Sequence, residues 1–428
     1  MTHREVGVLA IGAGPANLAL AVAIEESGAP ELADSTLLLE RAPEISWQRE
    51  LLLPWARSQV SFLKDLATLR NPRSRFSFLS FLHAQGRLDE FINLGTFHPF
   101  RWEISDYLRW VAGELERVEV RCGAEAVRID PLREPADQGP RGWLVTLADG
   151  DTVACRDLVV GAGRDAHVPA VFADLPADRV VHSSRFRSRV AELAGEPPRR
   201  AVVVGGAQSA AEMFYALHEQ LPDAHLTMLV RSIGLQNYQT SKFVNELFFP
   251  SFVDEFFDSP AELRAQVLDE MRLTNYAGLA PPFLDELYLM LYQQRRRGNP
   301  RSEVLALTEV TAARVADGEV VLDLRDRRTG KVAPLACDVV LLGTGYDSRM
   351  PAMVRDLADR TGLAELAVSR NYRLELGGPS HGAVYLQGVN EATHGIADSL
   401  ISVLAARAQE ITTDLLARRG AEQPAAVR

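Results

Sequence analysis

Val6-Gly7-Val8-Leu9-Ala10-Ile11-Gly12-Ala13-Gly14-Pro15-Ala16-Asn17 is the stretch that decides the fold. Its Val, Leu and Ile run reads as a buried parallel strand. Gly12-Ala13-Gly14 turns tightly at the end, and Leu18 to Glu26 carries an apolar stripe at helical spacing. Strand, glycine turn and helix together form the entry to a dinucleotide-binding unit. Gly12 permits the turn, and Gly14 lets backbone come close to a pyrophosphate. The helix N-terminus aims free N–H groups and its dipole at that anion. Gly12, Gly14, Pro15 and Asn17 are therefore candidate cofactor contacts, although Asn17 stands where a third Gly or Ala is usual. A second strand, Ser35 to Leu39, ends in Glu40, whose carboxylate can accept hydrogen bonds from a ribose diol. The alternative is a glycine turn that caps a helix and binds nothing.

The chain has 428 residues, which calls for two or three domains. A formal net charge of −11 argues against a nucleic-acid partner, because a polyanion would be repelled. Cys122, Cys155 and Cys337 are widely spaced and fit neither a metal site nor a redox pair. No apolar run reaches membrane-spanning length. The first strand begins at once, leaving no room for a signal peptide, so a reduced cytoplasmic setting is expected.

Residues 43 to 110 depart from a plain nucleotide-binding repeat. Trp47, Trp55, Trp102 and Trp110 lie here, around a core running from Gln59 to Pro72. So aromatic an insertion could cover a flavin ring, and Trp47 is a candidate cofactor contact. It could equally be a packing layer without ligand. Helices are expected over Phe76 to Gln85 and Arg101 to Leu115. Strands are expected at Val118–Arg121, Trp143–Leu147 and Leu158–Val160.

A second nucleotide unit opens at Arg200. Ala201 to Val204 reads as a strand, and Gly205-Gly206-Ala207-Gln208-Ser209-Ala210-Ala211-Glu212 turns into the helix Glu212–Glu219. Gly206, Gln208 and Ser209 are candidate cofactor contacts. Ala207 occupies the usual close-approach glycine position, so its methyl would push a pyrophosphate outward. The next strand, Leu226 to Val230, ends in Arg231. A cation there suits a 2′-phosphate and favours NADP over NAD; a plain surface charge is the alternative. Residues 234 to 300 break the α/β rhythm with a Phe-rich run from Phe243 to Phe257. Helices are expected from Ala261 to Arg272 and from Leu284 to Arg297, the latter ending in a solvated basic run. Strands return at Val304, Val320, Asp338 and Ala383, and a long helix follows from Leu400.

The expected architecture is α/β: two Rossmann-like dinucleotide-binding domains, for FAD and NADPH, with a smaller, mostly helical substrate-binding region. Residues 1–168 open the FAD domain. Residues 169–350 form the NADPH domain, with a substrate segment at about 234–300. Residues 351–428 return to the FAD domain.

The sequence resembles the flavin-dependent N-hydroxylating monooxygenases, and within them the L-ornithine N5-monooxygenases. The resemblance rests on Gly12 through Leu18, on Gln59 through Pro72 with Ser61-Phe62-Leu63-Lys64-Asp65-Leu66 at its centre, and on Gly206 through Glu212. It continues through Phe243-Val244-Asn245-Glu246, Thr274-Asn275-Tyr276, Gly343-Thr344-Gly345-Tyr346, Thr393-His394-Gly395 and Asp398-Ser399-Leu400. Asn17 is itself typical of that family. The resemblance implies that NADPH reduces FAD and that O2 adds at flavin C4a. The neutral side-chain amine of L-ornithine then attacks the resulting hydroperoxide, giving N5-hydroxyornithine for siderophore-type products. L-lysine or another ω-amine is the runner-up substrate, and a non-hydroxylating NADPH oxidase is a reading from another class. The resemblance also implies that Lys64 holds the substrate carboxylate with Asn245, and that Asn275 contacts the α-amino group. It sets Gln59 near flavin and nicotinamide, Arg231 at the 2′-phosphate, and Thr344, Tyr346, Ser399 and Leu400 among the cofactor contacts. Relatives often form tetramers. Ala207, the Tyr238–Lys242 stretch and Ala277 depart from the family pattern and leave the identity of the amine open.

Overall fold

β1 (His3–Ile11) is buried over its last four residues, as a strand flanked on both sides must be. It pairs in parallel with β2 (Thr36–Glu40), Leu9 opposite Leu37, and β2 pairs with β3 (Glu119–Cys122). β4 (Ala126–Leu132) and β5 (Gly142–Leu147) form an antiparallel ribbon leading to β6 (Thr152–Val160). β6 returns beside β1, Leu158 opposite Leu9. The computed structural model describes residues 2–133, 139–193, 195, 197–239, 241–272, 276, 278–298 and 300–422.

A second, parallel sheet takes β7 (Val180–His182), β8 (Arg200–Val204), β9 (His225–Val230) and β10 (Ser302–Ala306). β11 (Thr308–Ala316), β12 (Glu319–Asp326) and β13 (Val332–Cys337) make a three-stranded antiparallel sheet. β14 (Val339–Leu342) then enters the second sheet, giving the order β10-β9-β8-β14-β7. The chain finally returns to the first sheet through β15 (Val384–Leu386), which pairs with the last residues of β6.

The helix Pro15–Glu25 is buried from Asn17 through Ile24, and its sequence is apolar all round. The helix Leu404–Glu422 and an aromatic layer of Phe76, Phe78, Phe81 and Tyr107 complete its surroundings. The second sheet packs the helix Gln208–Gln220 on one face and β12 on the other, through Val320 and Leu322.

Several elements lie outside the sequence expectation. β11 mixes Thr, Ala and Arg on a half-exposed surface, β13 contains Pro334, and β7 has three residues. None offers the apolar run that marks a buried strand. The second helix begins at Gln208, not Glu212, because the glycine turn leads straight into its first turn. Among the described residues no helix is long and apolar enough to cross a membrane.

Candidate active site

The first glycine loop is built for close approach. Gly12 has φ +90°, and a Cβ there would meet the Gly161 carbonyl oxygen at 2.8 Å. Gly14 faces open space, with nothing within 4 Å of an added Cβ. No described side chain caps the helix that starts at Pro15, so its first-turn N–H groups stay available to an anion. Glu40 accepts from Ala13 N–H and Ala42 N–H, both at 3.0 Å, one on each carboxylate oxygen. These bonds fix the carboxylate at the strand end and leave lone pairs for a further donor.

Asn17 differs from the expectation of a direct cofactor contact. It is fully buried, donating through Nδ2 to the Ile11 (2.9 Å) and Gly12 (2.7 Å) carbonyls. Its Oδ1 accepts from Gln387 Nε2 at 2.7 Å. The side chain shapes the loop from behind, which leaves only its backbone for a ligand. Gln387 in turn accepts from Arg407 Nε at 3.0 Å, and Arg407 Nη1 pairs with Asp398 at 2.8 Å. Asp398 takes the Asn390 N–H at 2.7 Å. This buried chain joins the first loop to the Asp398-Ser399-Leu400 turn.

Lys64 lies in that same neighbourhood. With Pro15, Phe62 and Ile401 it lines a small cavity at the start of the first helix. Its ammonium donates to Ser402 Oγ at 3.4 Å, and among the described residues no carboxylate pairs with it. Burial pushes its pKa below the usual lysine value. The next residue, Asp65, holds the turn. It accepts from Ala67 N (2.9 Å), Thr68 N (2.6 Å), Thr68 Oγ1 (2.8 Å) and Phe78 N (2.7 Å).

The second loop starts the helix Gln208–Gln220, likewise without a described side-chain cap. Gly205 has φ +144°, and a Cβ there would meet the Gly343 oxygen at 2.4 Å. Ala207 adopts an extended backbone at the N-cap, which a Cβ tolerates. Gly206 packs against Val230, and Ser209 is half-buried. Gln59 reaches this loop: its Nε2 lies 3.4 Å from Gln208 Oε1. Gln208 is otherwise engaged inside the protein, accepting from Ala280 N at 3.0 Å and donating to Glu212 at 2.9 Å. Its side chain fixes the loop instead of being free for a nucleotide. Glu212 is buried and held by the two terminal guanidinium nitrogens of Arg101, Nη1 at 2.9 Å and Nη2 at 2.8 Å.

Other expected residues fall around this centre. Arg231 is exposed at the end of β9, and its carbonyl accepts from Arg327 at 2.7 Å. Trp47 is half-buried and bonded through its backbone to Ser105. Asn245 is exposed, while nearby Phe248 packs against Ala397 and Val403, beside Ser402. Asn275 lies outside the described residues. Its neighbour Tyr276 bonds Ser399 Oγ at 3.1 Å and also Glu391, tying residues 234–300 to the C-terminal turn. Leu400 follows as a half-buried residue of that turn.

Thr344 and Tyr346 sit where the two nucleotide units join. Residues 165–167 and 345–347 run antiparallel there. His167 N–H donates to Gly345 O at 3.0 Å, and Asp347 N–H to Asp165 O at 2.8 Å. Thr344 donates its hydroxyl to the His167 carbonyl, and the Tyr346 ring meets His182 edge-on at 5.6 Å.

Asp65, Arg101 and Glu212 were not singled out from sequence as site-forming residues. Asp65 has a readable signal, a carboxylate three residues before Thr68 at a turn. The Arg101–Glu212 pair spans 111 residues and has none.

The sequence profile of the L-lysine 6-monooxygenase/L-ornithine 5-monooxygenase family matches residues 5–348. The chain belongs to this family. It is 39% identical over 404 residues to the L-ornithine N(5)-monooxygenase of Burkholderia cepacia, covering 91% of this chain and 89% of that one. Among solved structures, the ornithine hydroxylase of Pseudomonas aeruginosa superposes with TM-score 0.90 at 34% identity, covering 97% of this chain and 100% of that one. The ornithine N-hydroxylase of Kutzneria sp. 744, solved with reduced FAD, NADP+ and L-ornithine, gives TM-score 0.88 at 35% identity over 97% and 100%. The protein is thus a monooxygenase of the flavin-dependent N-hydroxylating type, on two Rossmann-like units.

Proposed function

We propose that this chain N-hydroxylates the side-chain amine of L-ornithine, using FAD, NADPH and O2. The observation that carries this reading is Lys64: a half-buried cation without a carboxylate partner, lining the cavity that also contains Pro15 of the first loop. Such a cation is poised for the carboxylate of an amino acid. The ornithine relatives and the ligands of the Kutzneria structure support the choice of substrate and cofactors.

The residues fit both nucleotides. Gly12, Gly14 and the first-turn N–H groups would receive the FAD pyrophosphate, and Glu40 its ribose. Gly206, Ser209 and the second helix N-terminus would receive NADPH, with Arg231 at the 2′-phosphate. Residues 1–168 and 351–428 would carry FAD, residues 169–350 NADPH, and about 234–300 the substrate. FAD reduced by NADPH supplies, with O2, the oxygen atom that is transferred. Trp47, Gln59, Thr344, Tyr346, Ser399 and Leu400 would border the two cofactors. Lys64 and Asn245 would grip the carboxylate, and Asn275 the α-amino end. The side-chain nitrogen must be neutral to react. From a free pKa of about 10.4, a shift of about 3 units, or about 4 kcal/mol, is required near pH 7.5, and exclusion of water supplies it. A homotetramer in the cytoplasm completes the reading.

Purified protein given NADPH with ornithine, lysine and a diamine in turn tests it. Hydroxylamine product from ornithine is expected. NADPH consumption that yields only hydrogen peroxide would overturn the substrate.

A further inference from the structure

Glu391 stands where three separate pieces of the chain meet. It opens the short helix Glu391–His394, a few residues after the return strand β15. Its Oε2 faces Arg164 Nη2 at 3.5 Å, and both side chains are largely buried. Arg164 directly precedes the ribbon that joins the two nucleotide units. Its guanidinium also donates to the Gly388 (3.3 Å), Asp347 (3.3 Å) and Ser348 (3.2 Å) carbonyls. The other carboxylate oxygen of Glu391, Oε1, accepts from the Tyr276 hydroxyl. That hydroxyl lies 3.1 Å from Ser399 Oγ in the C-terminal turn.

The direction of each bond follows from the groups involved. A carboxylate only accepts, so the phenol donates to Glu391, and its own oxygen receives the Ser399 hydroxyl. Burial and the adjacent carboxylate push the phenol pKa up, which keeps it protonated as a donor. The Tyr276 ring is 48% exposed, so its hydroxyl bonds do more than ring packing to hold it. Neutralising Arg164 alone would not require Oε1 to meet Tyr276. We infer that Glu391 is a positioning residue for the hydroxylation. Through the Tyr276 phenol it fixes one point of the 234–300 segment against the C-terminal turn. Through Arg164 it ties that point to the ribbon between the nucleotide units. A segment restrained before the amine arrives has less freedom to lose on binding it, which tightens binding without touching the reacting nitrogen. That this segment carries the substrate rests on the proposed function; the Glu391–Tyr276 link does not.

Glu391→Ala, Tyr276→Phe and the double variant, as FAD-loaded full-length protein, test it on two independent readouts. Each single change is expected to raise the ornithine KM about tenfold, while kcat falls by less than about threefold. Amide hydrogen exchange should quicken several-fold in the peptide carrying Tyr276, whose N–H bonds the Arg272 carbonyl at 3.1 Å, and stay as in the wild type in β1 and β8. Both residues act through one bond, so the double variant should be no worse than the more impaired single one. Tyr276→Phe with wild-type KM and exchange, losses that multiply in the double variant, or a lower kcat with an unmoved KM would each overturn the inference. Tyr276→Phe removes one atom from a half-exposed ring, so it keeps the test decisive should Glu391→Ala misfold. A wild type that hydroxylates no amine sinks the substrate reading, and the exchange measurement then decides on Glu391 by itself.

Discussion

Lys64 and Asp65 are adjacent and opposite in charge, yet they do not neutralise each other. Asp65 spends its carboxylate on three backbone N–H groups and a hydroxyl. The lysine is left with one neutral hydroxyl neighbour. Replacing Lys64 with Ala should therefore cost the substrate carboxylate its partner, about 2–4 kcal/mol in kcat/KM for ornithine, while FAD content stays at wild-type level. Steady-state kinetics with product detection checks this. Asn17 acts on a different quantity. Asn17→Ala leaves Gln387 Nε2 and the half-buried Gly12 carbonyl short of a partner, while the Ile11 carbonyl keeps the Gly161 N–H, at a cost of about 2–4 kcal/mol. A lower melting temperature with FAD lost on gel filtration is expected. The sequence marked both residues, but their roles were not equally legible. Lys64 was recognisable through its surrounding motif. The inward direction of Asn17 depends on Gln387, 370 positions away, and no local pattern encodes that meeting.

At the scale of elements, strands with continuous apolar runs were readable, and so were helices with a clear stripe. The β11–β13 sheet was only partly readable, because its exposed faces alternate in a pattern that weak amphipathicity blurs. The turn from Lys64 to Phe78 belongs to neither class, and its shape depends on one carboxylate. Asp65→Ala removes the acceptor of two buried backbone donors and one half-buried one, so a loss of about 3 kcal/mol in unfolding free energy is expected by urea denaturation. Ornithine affinity should fall with it, since the Lys64 position is set by that turn. The Thr393-His394-Gly395 turn has its own signature. His394 is buried, stacked on Tyr372 at 4.2 Å and edge-on to Phe257, and its pKa is pushed down to about 4 by burial. The unfolded chain binds that proton near pH 6.5, so it takes up more protons than the folded chain between pH 6.5 and 4. The contribution is complete above pH 6.5 and is lost as pH falls toward 4, by about 3 kcal/mol in all. A His394→Gln variant should show a correspondingly shallower acid limb in its stability curve.

Across the whole molecule, the aromatic insertion and the second nucleotide unit are fastened together by Arg101 and Glu212, buried on both sides. Removing the cation alone strands a carboxylate in the interior. Arg101→Leu should cost about 3–5 kcal/mol, whereas replacing both partners with apolar residues of similar volume should cost far less. A double-mutant cycle on thermal unfolding separates the two outcomes. The pair of glycine loops was legible from sequence, and with it the two-unit plan. What brings the units to face each other was not, because Gln59 meets Gln208, and Arg101 meets Glu212, only in three dimensions.

The crossing between the units, with residues 165–167 beside 345–347, is a short hydrogen-bonded ribbon and not a single cord. A lone tether lets its load spin freely, whereas two cross-linked cables flex across their flat side and resist torsion. With the buried Arg101–Glu212 pair as a further fastening, the second nucleotide unit is therefore expected to keep its glycine loop facing Gln59.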